Sequence, residues 1–413
     1  MSSTPTPDPR SNTLSLVQQD ITRRCEEKVH QAILQKGALG FDEYMQLALH
    51  DSEVGYYCQG DEIFGQQGDF TTVPETSIHL AFCMAHACGK LIDDDEKRSI
   101  LEIGAGTGKF ACDILKFLST WGKLPSRYYI YESSETLRIK QHELLKRELP
   151  TYVDHIEWLE NLSDFMCEDN NDEKGEATHD KIEAAIIIAN EVLDALPVKC
   201  FEVGSDKIHE RVVTLDQENK LKWTLKDPTE KLNTALDNLV SALNEPLAPG
   251  YQSEVNLNIA PTLASWVNCC EQCVMFLVDY GQPCNEYYHP QRHMGTLRSY
   301  FKHQVSEDVF TRPGLQDITA DVDFSSVAKT VQQLKMGVLS YSSQRNFMLA
   351  NNLLEWQPSA ESEIERLAQI AQLKQLTLGS AISERFQVMV LGKGIDYDAD
   401  RFTMRDMRAR LQV

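Results

Sequence analysis

The chain has 413 residues, 42% hydrophobic and 25% charged, with a formal net charge of −22. Such a length buries a large core and exceeds one typical domain. The acidity argues against nucleic acid as a partner, because phosphate binding requires basic surface; it suits attraction of a basic protein by long-range steering.

Residues 1–12 read as a disordered tail. They lack the charged start and apolar core of a signal peptide, and Asp8, Asp20, Glu26 and Glu27 interrupt any basic presequence pattern. The longest purely apolar run, Ala184–Ala189, is too short to span a bilayer, so no membrane insertion is expected. Eleven cysteines without an export signal read as reduced thiols, and the expected location is cytoplasmic. Oligomeric state is open, a homodimer being one option.

Periodicity predicts a helix over 13–36 and another over Phe41–His50. A turn-rich segment and a helix over 77–92 complete an N-terminal helical cap and lid region, 13–95. Strand and helix patterns then alternate from 98 to 203, which implies parallel βαβ units and a Rossmann-like core over 96–204. The polar, acidic stretch 168–180 reads as a surface loop. A hairpin near 208–224 and helices near 229–244 and 260–271 form an insertion, 205–271, read as largely helical and as one wall of a substrate cleft. The remainder, 272–413, resumes the sheet at Val274–Gly281. Further strands are expected near 337–341 and 386–392, with helices near 323–335, 343–350 and 360–374.

The most informative segment is Leu101-Glu-Ile-Gly-Ala-Gly-Thr-Gly-Lys-Phe110, where an apolar strand gives way to an amphipathic helix. A Walker A loop needs four residues between its first glycine and Gly-Lys, then Ser or Thr. Only three separate Gly104 from Gly108, and Phe110 follows Lys109, which disfavours ATP or GTP. The dinucleotide fingerprint is G-x-G-x-x-G, whereas this chain reads E-x-G-x-G-x-G. An acid at the strand end is awkward beside pyrophosphate and comfortable beside a cation. The pattern therefore favours S-adenosylmethionine (SAM), with Glu102, Gly104, Ala105, Gly106 and Gly108 around it. Glu132, ending the next strand and followed by Ser133, is placed to accept hydrogen bonds from ribose hydroxyls; NAD would use the same acid.

Cys270, Cys273, Cys284, His289 and His293 have spacings found in zinc sites. Cys273 opens an apolar strand while Cys270 reads as a helix end, so the ligands would have to leave the core to converge. No metal is expected.

Several segments together resemble the MidA family of SAM-dependent methyltransferases, whose eukaryotic branch includes a mitochondrial complex I assembly-factor arginine methyltransferase. They are Gly68-Asp-Phe-Thr-Thr-Val-Pro-Glu75, Leu101–Gly108, Tyr128–Ser133, Ala189-Asn-Glu-Val-Leu-Asp-Ala-Leu-Pro-Val198, Asp279-Tyr-Gly281, Gly295–Tyr300 and Gly314–Phe324. The resemblance implies a class I methyltransferase fold, α/β with a doubly wound, mostly parallel sheet, and a protein arginine as acceptor. A small-molecule N- or O-methyltransferase and a non-catalytic SAM-binding assembly factor for a respiratory complex are the alternatives.

Arginine is a poor nucleophile, and paired carboxylates can grip its guanidinium and take its proton. Ligands of open α/β sheets sit beyond the carboxyl ends of the strands, which makes Glu191 the leading catalytic candidate. Asp194 and Glu75 are its possible partners, and Asn190 orients donor or acceptor. Gly68, Asp69 and Thr72 read as a lid over the cofactor, and Trp158 with Leu159 as an adenine sandwich.

Overall fold

The computed structural model describes residues 14–59, 78–165, 180–302, 304–357, 362–377 and 385–412. In chain order, α1 (Leu16–Lys36), β1 (Leu39–Gly40) and α2 (Phe41–His50) are followed by α3 (Ile78–Asp94). The βα succession comprises β2 (Ser99–Ile103), α4 (Lys109–Thr120), β3 (Tyr128–Tyr131), α5 (Glu135–Glu148), β4 (Ile156–Leu159) and β5 (Ile182–Asn190). Next come β6 (Lys199–Val203), β7 (Ile208–Leu215), β8 (Leu221–Lys226), α6 (Glu230–Ala242), β9 (Gln252–Val255) and α7 (Ile259–Asn268). The chain continues through β10 (Cys270–Gln282), α8 (Cys284–Tyr287), β11 (Arg298–Phe301), β12 (Gln304–Ser306), β13 (Asp317–Thr319) and β14 (Val322–Asp323). It closes with α9 (Phe324–Gln333), β15 (Gly337–Ser343), α10 (Gln344–Ala350), α11 (Glu363–Thr377) and β16 (Phe386–Lys393).

The main sheet runs β15-β16-β10-β5-β2-β3-β4, with β14 paired to β10. The run from β10 to β4 is parallel, and β16 is antiparallel to both its neighbours. The continuous apolar character of β5 fits a strand covered on both faces. Ile186 and Ile188 join one core with residues of α3, α4 and α10. Ala185, Ile187 and Ala189 join a second core with residues of α7 and α9. β10 divides in the same way, Val274, Phe276 and Val278 against Met275 and Leu277. The sheet is therefore doubly wound, as its sequence pattern implies. α3, read with the cap, packs into the first of these cores.

The expected hairpin is β7 and β8, and both insertion helices are present. Together with β1, β6 and β9 the hairpin forms a five-stranded antiparallel sheet, so the insertion mixes sheet and helix. α1 begins at a reciprocal Ser15–Gln18 capping box. Its buried Cys25, Val29 and Ile33 pack with α2, Val213 of β7 and Ile318 of β13 in a third core. This docking brings the end of α2 and the start of β13 over the carboxyl end of β5.

α7 ends at Asn268, so Cys270 is the first residue of β10 and not a helix end. The apolar run that follows pulls it into the strand. Cys270, Cys273 and Cys284 are all buried. Among the described residues, no group of three or more His, Cys, Asp or Glu could hold a metal ion.

Candidate active site

The turn after β2 places Gly104, Gly106 and Gly108 at φ of 66°, 54° and 81°. Side chains are disfavoured in that region. Gly108 is the N-cap of α4, and a Cβ there would lie 3.1 Å from the side chain of Gln141. The loop, the ends of β3 and β5, the end of α2 and the start of β13 enclose a cavity of about 220 Å³.

Glu102, Gly104, Ala105, Gly106, Glu132, Ser133, Asn190 and Glu191 all line it. Glu102 is buried and accepts from Tyr128 Oη at 2.7 Å; burial raises its pKa from 4.5 to about 7. Glu132 accepts from Ser134 N at 3.0 Å and Gln141 Nε2 at 3.2 Å, and burial raises its pKa too. Glu191 stands at φ 51°, a region uncommon for a residue with a side chain. Its amide donates to the Val278 carbonyl at 2.8 Å, and Asn190 Nδ2 donates to its carboxylate at 3.3 Å.

Other sequence candidates lie elsewhere. Asp194 does not line the cavity. Its carboxylate accepts from Tyr280 Oη, and its amide donates to Asp279 Oδ2 at 3.3 Å. The side chain is buried in the turn after Leu193, and burial raises its pKa to about 7. Trp158 and Leu159 do not line the cavity either. Trp158 Nε1 donates to Gln141 Oε1 at 3.1 Å, Leu159 is buried in the second core, and β4 is the outermost strand of the sheet. Gly108 lies behind the loop against Gln141. Gly68, Asp69, Thr72 and Glu75 lie outside the described residues.

Sequence reasoning missed His50, Tyr56, Tyr57 and Asp317, which line the cavity, and Gln141, which organises it. Gln141 is fully buried; its Nε2 donates to the Gly106 carbonyl at 2.8 Å as well as to Glu132. No sequence signal separates it from the exposed polar positions of α5. Asp317 lies within the distinctive Gly314–Phe324 segment, which was the available pointer.

Among the described residues lining the cavity are four carboxylates, Glu102, Glu132, Glu191 and Asp317, and no Lys or Arg. A pyrophosphate would meet repulsion there, whereas a sulfonium bearing an ammonium meets complementary charge. The residues present fit S-adenosyl-L-methionine.

Residues 82–342 match a family model of S-adenosyl-L-methionine-dependent methyltransferases. The chain is 25% identical to the Caenorhabditis elegans homolog of the mitochondrial protein arginine methyltransferase NDUFAF7, over 88% of this chain and 82% of the relative. It is 27% identical to the mitochondrial zebrafish (Danio rerio) NDUFAF7, over 82% and 78%. A Burkholderia thailandensis protein crystallised with S-adenosyl-homocysteine superposes with a TM-score of 0.83 at 28% identity, covering 96% of this chain and 99% of that one.

These relatives overturn the cytoplasmic expectation, since their names place them in mitochondria. The cysteine argument had no power to choose a compartment: it required only a reducing one. No helix among the described residues is long and apolar enough to cross a membrane. With the family match extending over more than half its length, the chain belongs to this family of S-adenosyl-L-methionine-dependent methyltransferases.

Proposed function

We propose that this enzyme methylates an arginine side chain of a protein substrate. The observation carrying the reading is Glu191, a carboxylate held in left-handed backbone beside the glycine loop, with Asn190 donating to it. Such strain persists only where the surroundings impose it, and it clusters at functional sites. The names of the relatives and the acidity of the cavity support the same acceptor.

S-adenosyl-L-methionine, when bound, supplies a methyl group activated on sulfur. In this reading Gly104, Ala105 and Gly106 bring backbone close to the donor, Glu102 offsets its positive charge, and Glu132 accepts from its ribose with Ser133 alongside. Glu191 grips the guanidinium, draws its charge toward the distal nitrogens and accepts the departing N–H proton on a carboxylate oxygen. Asn190 orients Glu191 through its amide. Holding donor and acceptor in one cavity fixes the line of approach, which supplies much of the acceleration in a displacement of this kind.

Two measurements test the proposal. Glu191→Gln should keep donor affinity and abolish transfer. Mass spectrometry of proteins from cells with and without the enzyme should show arginine methylation that depends on it; identical arginine methylation in both would refute the reading.

A further inference from the structure

We propose that Asp317 is the second carboxylate that receives the acceptor guanidinium, acting with Glu191. The inference rests on the arginine reading and replaces Asp194 as the partner acid. Asp317 opens β13, is only 2% exposed, and lines the same cavity as the glycine loop. Its Oδ1 accepts from Tyr57 Oη at 2.8 Å and from Ile318 N at 2.9 Å. Both of these donors are neutral, and they orient the carboxylate.

The neighbouring groups suit a flat cation. Tyr57 stacks on His50 with ring centroids 5.4 Å apart at 29°, and Tyr56 meets Tyr57 edge-on at 5.2 Å. Aromatic faces attract guanidinium groups. His50 Nε2 lies 3.1 Å from the Ala195 carbonyl, and burial lowers the pKa of the ring, so His50 adds no competing positive charge at neutral pH. Asn190 Oδ1 is buried and has no hydrogen-bond partner among the described residues. A guanidinium offers five N–H donors in one plane, enough to engage Glu191, Asp317 and this amide oxygen together. A neutral amine or hydroxyl acceptor has no use for two carboxylates.

Ethylguanidinium and its neutral isostere ethylurea test the assignment, titrated by ligand-observed NMR into the full-length protein loaded with S-adenosyl-homocysteine. The wild type is expected to bind ethylguanidinium at least tenfold more tightly than ethylurea. Asp317→Asn should lose at least tenfold in ethylguanidinium affinity with S-adenosyl-homocysteine affinity unchanged, and Asp317→Glu should recover part of the loss. Tyr57→Phe, which keeps the charge and removes one orienting donor, should weaken ethylguanidinium about threefold and serves if Asp317→Asn does not fold. Unchanged ethylguanidinium affinity in Asp317→Asn, or in Tyr57→Phe should Asp317→Asn not fold, overturns the proposal, as does a wild type that does not distinguish the two probes. Selective ethylguanidinium binding together with absence of enzyme-dependent arginine methylation in cells would leave the cation site standing and remove the arginine-transfer reading.

Discussion

Tyr128 reaches from β3 to donate its hydroxyl to Glu102 Oε2 at 2.7 Å, both side chains being buried beneath the glycine loop. Burial is the main cause of the elevated Glu102 pKa, about 7 against 4.5. A cation at the strand end favours the ionised carboxylate, so donor binding should release a proton near neutral pH and tighten between about pH 6 and 8. Calorimetry in two buffers of different ionisation enthalpy measures that proton; zero exchange counts against Glu102 facing the donor. In the free protein the sign is opposite. The native state holds the proton more tightly than the unfolded chain, so this stabilisation is full below about pH 4.5 and is lost as pH rises through about 7. Glu102→Gln should flatten the stability profile in that window.

Glu132→Ala should weaken S-adenosyl-L-methionine on the order of 1–3 kcal/mol, the cost of losing buried hydrogen bonds to a charged acceptor. Isothermal titration reads this directly, and unaltered affinity would remove Glu132 from the cofactor site.

Gln141 joins the Gly106 carbonyl, the Glu132 carboxylate and the Trp158 indole. Gln141→Leu leaves these groups without their partner, and the buried Glu132 carboxylate alone accounts for about 1–3 kcal/mol. Reduced thermal stability and weaker donor binding are expected together. Lower stability with intact affinity would confine Gln141 to a structural role.

Glu191→Gly should separate stability from activity. Left-handed backbone costs a side-chain-bearing residue on the order of 1–2 kcal/mol relative to glycine, while glycine adds flexibility to the unfolded chain. The variant is expected to melt at or above the wild-type temperature and to transfer no methyl group. A clear drop in melting temperature would mean that Glu191 serves chiefly as a structural contact.

The main sheet was legible because β5 and β10 each contain a continuous apolar run and the acids Glu102 and Glu132 punctuate strand ends. The second sheet was not assembled from sequence, because β1 has two residues and β9 four, too few to show a period. Within Asn190–Pro197, proximity in sequence made Asp194 the natural partner of Glu191. The buried turn instead directs Asp194 to Tyr280, while Asp317 arrives from a distant strand. Trp158 misled for a related reason: an aromatic after a strand suits a base, but the outermost strand and the Gln141 side chain hold it aside.

Tyr57 and Asp317 touch although they stand 260 positions apart in the chain. A chain still emerging from the ribosome can shape the glycine turn and its first strands long before Asp317 has been synthesised. Competence to recognise an acceptor therefore arises late in biosynthesis, and any fragment ending before β13 lacks the Tyr57–Asp317 contact.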